Sequence, residues 1–252
     1  MEKVMDQIII DGDEIEFPQE IAASETQVVL APMAQVMDMN AIYRQLMFYY
    51  ESGIDQLTAK LQIMNKEFAL CNERNPIESI KSRIKSMESI MNKMQKKNLD
   101  MTLENLVRNI KDVAGIRVVC PFISDVYYIA EILSNQSDIE VVQVKDYIKE
   151  PKESGYRSLH LIVMVEVSFS EQKKKVPVEV QLRTIAMNCW ASLEHQLRYK
   201  KENQFTERMA EELRICAEQL SDTDLRMQRL SNDVFTKDRK GAKCRVDEFE
   251  GE

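Results

Sequence analysis

In the segment VEVQLRT, residues 178–184, a carboxylate, an amide and a guanidinium (Glu179, Gln181, Arg183) alternate with Val178, Val180 and Leu182. Successive side chains of a strand point to opposite faces, so the polar groups share one face and the aliphatic ones the other. The preceding run repeats the pattern: Leu159, Leu161, Val163, Val165 and Val167 alternate, which sets His160 on the opposite side. If the two runs pair through the polar connection at 170–175, His160, Glu179, Gln181 and Arg183 line one surface. A solvated sheet face is polar too, and one strand alone does not separate the two readings. Other groups tip the balance toward a site. Asp112 precedes, and Arg117 lies within, a short β-branched run at 115–120. Lys145, Asp146 and Tyr147 lead into the loop KEPKESGYRS at 149–158, with Gly155 for a turn and Tyr156 for stacking. Lys81, Lys85, Ser89 and Lys93 recur every fourth residue, one row on a helix. Such a row, near two acids able to share Mg²⁺, suits a nucleoside triphosphate. Spacing alone names no reaction.

The elements that must position these groups follow from periodicity. Ile54, Leu57, Leu61, Met64, Phe68 and Cys71 form one apolar stripe, and Ile77, Ile80, Ile84, Met87, Met91 and Met94 repeat it, predicting a second helix from Pro76. Strands are expected at 115–120, 139–144, 159–169 and 176–182. Ser124 is the expected N-cap of a helix bearing Val126, Ile129, Ala130 and Leu133. Two more helices are expected at about 185–200 and 205–231. The class is α/β: a mixed β-sheet of about five strands flanked by helices, with N- and C-terminal helical extensions. The organisation reads as an acidic flexible leader (1–33), an N-terminal helical region (34–75), a catalytic domain (76–200), a C-terminal helix (201–236) and a disordered charged tail (237–252).

Composition narrows the classes. A net charge of −8 over 252 residues argues against coating of nucleic acid, and RNA binding is not indicated. The positive charge is local: six basic residues stand against one acidic between 81 and 97, a compact phosphate site rather than a duplex-binding surface. Five scattered cysteines without CxxC, and only two histidines, support neither a zinc site nor a disulfide framework. With no long apolar run and no leader of the secretory type, a reduced cytoplasmic protein, free of the membrane, is expected.

Five motifs in fixed order then resemble the synthetase domain of the RelA/SpoT family, at the size of its small single-domain alarmone synthetases. They are SRIKSMESIMNK (82–93), DVAGIRVVC (112–120), KDYIKEPKESGYRSLH (145–160), VEVQLRT (178–184) and NCWASLEHQLRYK (188–200), nearly half of the chain. The resemblance implies a nucleotidyltransferase-like fold and transfer of diphosphate from ATP to the 3′-hydroxyl of GTP or GDP, with Mg²⁺ as cofactor. It implies that Arg83, Lys85 and Lys93, supported by Ser89, grip the ATP phosphates and that Arg117 packs on the adenine. Asp112 would hold the metal, and Glu179 would take the hydroxyl proton or share the ion. Tyr156 would stack on the guanine, Lys145, Lys152 and His160 would meet the acceptor's 5′ phosphates, and Gln181 and Asn188 would position its nucleoside. A homotetramer with allosteric product binding is implied as well. Glu194 and His195 read as structural, and Trp190 as core. Ser154 departs from the family's usual asparagine, which bears on acceptor affinity. No histidine precedes His160, so synthesis without hydrolysis is expected. The competing readings are a relative acting on adenine nucleotides or tRNA, and an idle nucleotide-binding regulator.

Overall fold

The computed structural model describes residues 8–10, 13–15, 30–71, 74–199 and 205–235. Two short strands, β1 (Ile8–Ile10) and β2 (Asp13–Ile15), pair antiparallel. The long helix α1 (Leu30–Cys71) follows, beginning four residues inside the segment read as leader. The body is a five-stranded sheet of β3 (Ser79–Ile84), β4 (Ala114–Cys120), β5 (Ile139–Asp146), β6 (Leu159–Ser168) and β7 (Lys173–Thr184), in the order β3-β4-β7-β6-β5. Only the β4–β7 pairing is parallel, so the sheet is mixed. Helices α2 (Met87–Lys96), α3 (Leu103–Asn109), α4 (Ile123–Ser134), α5 (Ile185–Tyr199) and α6 (Glu207–Phe235) surround it. Among the described residues no helix is long and apolar enough to cross a membrane. The tail at 237–252 and most of the leader lie outside the described residues.

The alternation expected of β6 and β7 holds. Leu161, Val163, Val165, Val178, Val180 and Leu182 are buried in one cluster with Ile116 and Val118 of β4. Tyr50, Ile54, Leu57 and Leu61 of α1 and Val126, Ile129 and Leu133 of α4 complete that cluster. Burial of each such side chain contributes about 1.5–3 kcal/mol, so this face dominates the stability of the body. On the other side, α5 continues directly from β7 and packs on α6, with Trp190 and Ala217 buried between them.

One expected helix is wrong. Residues 79–84 form an edge strand antiparallel to β4, and the helix starts only at Met87. Ile80 and Ile84 lie four apart, a spacing that satisfies both a helical turn and strand alternation, so the sequence pattern was ambiguous there. Ladder bonds to β4 decide the matter, and Ser86 then caps the helix, its Oγ accepting from Ser89 N at 3.3 Å. The lysines at 81 and 85 therefore do not share a helical row with Ser89 and Lys93. Ser124 is not an N-cap either. Phe122 holds that position, and the Asp125 carboxylate accepts from its backbone N–H at 3.3 Å. The short α3 was not anticipated; Thr102 caps it through Asn105 N at 3.2 Å.

Gly53 fixes how closely α1 approaches the sheet. A methyl group there would stand 2.7 Å from Val176 Cγ1 and 3.0 Å from its Cβ. Alanine gains about 1 kcal/mol of helix propensity over glycine, whereas overpacking costs about 1–3 kcal/mol. Gly53→Ala is expected to lower the unfolding free energy by about 1 kcal/mol in urea titration, and Val176→Ala in the same chain to relieve the clash.

Candidate active site

Cross-strand register explains how polar groups distant in sequence come together. Lys81 pairs with Arg117, Arg117 with Gln181, Gln181 with His160, and His160 with Lys145. Residues directly opposite share a face, so one row of the sheet, across all five strands, reads Lys-Arg-Gln-His-Lys on the side away from the valines. The neighbouring row carries Arg83, Gly115 and Glu179. Gly115 has no side chain, which leaves space between the guanidinium and the carboxylate.

Asp112 lies in the turn that enters β4. Its Oδ2 accepts from Lys85 Nζ and, at 2.7 Å, from Lys93 Nζ, while Oδ1 is buried without a partner. Burial alone would raise its pKa, but the two ammonium groups outweigh that and hold it below the usual carboxylate value. Glu179 is balanced in the same way. Burial pushes it up, and the bond to His160 and the amide of Gln181 bring it below its ordinary value. Its Oε1 lies 3.2 Å from His160 Nδ1, and its Oε2 accepts from Gln181 Nε2 at 2.7 Å. Opposite stands Lys152, whose ammonium lies 4.6 Å from the ring centre of Tyr147 and 4.8 Å from that of Tyr156. Burial lowers its pKa, and the charges of Lys145 and Arg183 add to that against the pull of Glu179.

These groups line one cleft of about 440 Å³, within the range of nucleotide-sized sites. Of the residues singled out from the sequence, it gathers Arg83, Lys93, Asp112, Lys145, Lys152, Tyr156, His160, Glu179 and Gln181. Lys85 stands behind Asp112. Arg117 borders an adjoining hollow of about 90 Å³ along β3 and β4, shared with Lys81, Arg83 and Gln181, and its Nε is buried without a partner. Burial, and then the nearby Arg183 and Arg83, depress its pKa. Ser89 is exposed in the first turn of α2, within hydrogen-bond reach of Ser86, and does not line the cleft. Neither does Asn188, on α5, whose buried Oδ1 lacks a partner.

The cleft also includes Tyr147, Ser154, Trp190 and Glu194. Trp190 is buried, as expected, yet its ring meets Tyr156 edge-on at 6.4 Å and its Nε1 donates to Leu213 O at 2.7 Å. Glu194, read as structural, faces the site. The signal was its place one helical turn from Trp190, on the same side of α5.

Comparison with known proteins agrees with this arrangement. Residues 82–204 match the family model described as a region found in RelA / SpoT proteins. The chain is 42% identical over 176 residues to the GTP pyrophosphokinase YwaC of Bacillus subtilis, covering 70% of this chain and 84% of that one. It is 33% identical over 199 residues to the GTP pyrophosphokinase YjbM of the same organism, covering 77% and 93%. The crystal structure of the small alarmone synthetase 1 from Bacillus subtilis, bound to its product pppGpp, superposes with a TM-score of 0.72 at 33% identity, over 77% of this chain and 98% of that one. With its mixed sheet, its acid-and-cation cleft and these relatives, the chain belongs to the RelA/SpoT family, alongside the small alarmone synthetases.

Proposed function

We propose that the chain is a GTP pyrophosphokinase, moving the β,γ-diphosphate of ATP onto the 3′-hydroxyl of GTP or GDP to make (p)ppGpp and AMP. One juxtaposition carries this. Asp112 and Glu179, brought together by the parallel β4–β7 pair, border a single cleft with cations on both flanks. The transfer forms a bond from O3′ to the β-phosphorus and breaks the bond from that phosphorus to the bridging oxygen, which leaves on AMP. A ribose hydroxyl is a weak nucleophile, so the carboxylate of Glu179 accepts its proton as the bond forms. Little covalent help is needed beyond this, because positioning and charge neutralisation dominate phosphoryl transfer.

Arg83, Lys85 and Lys93 hold the donor phosphates, and Arg117 stacks on the adenine. Ser89 supports that grip from the capped first turn of α2. Tyr156 is the platform for guanine, Lys145 and Lys152 meet the acceptor's 5′ phosphates, His160 stands beside them between Tyr156 and Glu179, and Gln181 and Asn188 orient its nucleoside. Base stacking on an aromatic ring contributes about 1–3 kcal/mol. The residues suit Mg²⁺, a hard ion that takes few carboxylates and completes its shell with phosphate and water. Asp112 Oδ1, buried and unpartnered, is the natural ligand, with Glu179 on the same cleft. When bound, the ion supplies neutralisation of phosphate charge.

Exposed apolar side chains on α1 (Phe48, Ile63, Leu70), α5 (Leu193, Leu197) and α6 (Leu225, Leu230, Val234) support self-association into a homotetramer. Allosteric binding of the product would regulate it. The free thiols of Cys120, Cys189 and Cys216 suit a reducing cytoplasm.

Transfer of label from γ-labelled ATP is expected to yield a labelled guanosine product with wild type, and Glu179→Gln or Asp112→Asn to lower the rate by about 10²–10⁴-fold. Equal yields from wild type and Glu179→Gln would remove the base. Because Glu179 is held below its ordinary value, it remains ionised through neutral pH. Protonation of Glu179 should therefore lower the rate only below the ordinary glutamate range, and a Glu179 carboxyl that titrates near 7 by carbon NMR would contradict this. Light scattering should give a mass about four times the 29.4 kDa chain.

A further inference from the structure

Arg183 is buried, at 4% exposure, and among the described residues no carboxylate touches it. A buried guanidinium without a direct counter-ion is costly, so its hydrogen bonds need explaining. Its Nη2 donates to Tyr156 Oη at 2.5 Å and to Gln181 Oε1 at 2.9 Å. Its Nε lies 3.4 Å from Ser158 Oγ, and its Cζ sits 5.1 Å from the centre of the Tyr156 ring.

From these contacts two arms run to the same carboxylate. In the first, Tyr156 Oη lies 2.8 Å from His160 Nε2, and His160 Nδ1 lies 3.2 Å from Glu179 Oε1. In the second, Gln181 Nε2 donates to Glu179 Oε2 at 2.7 Å. The ends set every direction between them. Arginine can only donate and a carboxylate can only accept. Since Tyr156 Oη accepts from Arg183, its own proton goes to His160 Nε2. The neutral imidazole must then carry its proton on Nδ1, where it faces Glu179. Along the other arm, the Gln181 oxygen turns to the guanidinium and its amide nitrogen to the base.

We propose that Arg183 is a positioning residue, the common donor of a closed circuit that fixes the proton-accepting carboxylate of Glu179 and the stacking ring of Tyr156 relative to each other. The inference rests on the pyrophosphokinase reading of Glu179 and Tyr156 and adds what aligns them. Guanine stacking and base orientation are thereby coupled: a shift of either travels round the circuit. It also gives the tyrosine hydroxyl a task that stacking alone does not require.

Two measurements test this. Tyr156→Phe keeps the ring and removes the hydroxyl, so KM for GTP should stay within about threefold while kcat falls about tenfold, the loss of one hydrogen bond beside a charge. Arg183→Gln cuts both arms and should lower kcat about 100-fold, and the double variant should be no slower than Arg183→Gln alone, since the first arm is already open. Multiplicative losses in the double variant, or wild-type kcat in Tyr156→Phe, would overturn the proposal. Unfolding is separated by referring kcat to the folded fraction at the assay temperature, and wild-type kcat per folded molecule in Arg183→Gln would likewise overturn the proposal.

The second measurement does not depend on turnover. The chain has two histidines, so nitrogen NMR with labelled histidine, assigned with His195→Gln, reads the tautomer of His160 directly. At a pH where the ring's own NMR titration shows it neutral, wild type should show the proton on Nδ1, and Tyr156→Phe and Arg183→Gln should move population to Nε2. An Nε2-protonated wild-type ring refutes the circuit even in an active enzyme. An Nδ1-protonated ring in a chain that releases no AMP from ATP with GTP refutes the pyrophosphokinase reading and leaves the circuit standing.

Discussion

Charges held half out of water must be compensated where they stand, and this requirement organises the molecule. The side chains of Asp112 and Glu179 are each only 15% exposed. An unpaired carboxylate at that depth would protonate rather than persist. Two lysines answer the first acid, and an imidazole with an amide answers the second. The same contacts that make burial tolerable also point the groups, which is what electrostatic preorganisation means in a site for phosphoryl transfer. In the proposed reaction, the ammonium groups now on Asp112 Oδ2 are those the donor phosphates need. Phosphate oxygens could replace that oxygen as their partners, and Mg²⁺, if held by Asp112, would neutralise the carboxylate they leave.

The backbone supplies the second half of the arrangement. The parallel pairing sets Gly115 opposite Glu179 and so brings the turn bearing Asp112 alongside the base. The acceptor loop is fastened from below by α6. Arg157 Nη1 donates to Gly155 O at 3.0 Å and to Ala217 O at 3.4 Å. Gly155, at φ +86°, lies so close that a side chain there would meet Ala217 Cβ at 2.6 Å. Thr184, where β7 passes into α5, donates to the buried Asp224 of α6 at 2.5 Å. Burial keeps the pKa of Asp224 raised, against the effect of that bond. The C-terminal helix thus braces the stacking loop and the end of the strand that carries the base.

Much of this was legible in the residues. Period-two alternation in β6 and β7 is unambiguous because those strands are long and one face is aliphatic throughout, and it correctly put His160, Glu179, Gln181 and Arg183 on one side. The segment at 79–94 was not legible, since its isoleucines fit two periods and only pairing with β4 selects the strand. The lysine row derived from that helix dissolved with it, although Lys85 and Lys93 still converge on Asp112 from a strand end and a helix. Glu194 escaped because its place at the cleft depends on how α5 lies against the sheet, a tertiary fact. The circuit around Arg183 escaped for a related reason. Alternation gives a face, but not which atoms on that face come within 3 Å of one another.

Precision is distributed unevenly across the cleft, in a way that matches the proposed chemistry. Glu179 and Gln181 stand on β7, which is flanked by β4 and β6, and each bonds to neighbours that are themselves held. The proposed donor-phosphate groups come from the margin: Arg83 from the edge strand β3, and Lys93, 37% exposed, from the short helix α2. A proton transfer to a carboxylate depends on fractions of an ångström, whereas attraction between ammonium groups and a polyphosphate falls off slowly with distance. Rigid central strands therefore suit the base, and longer, more adaptable side chains at the rim suit the donor's phosphates.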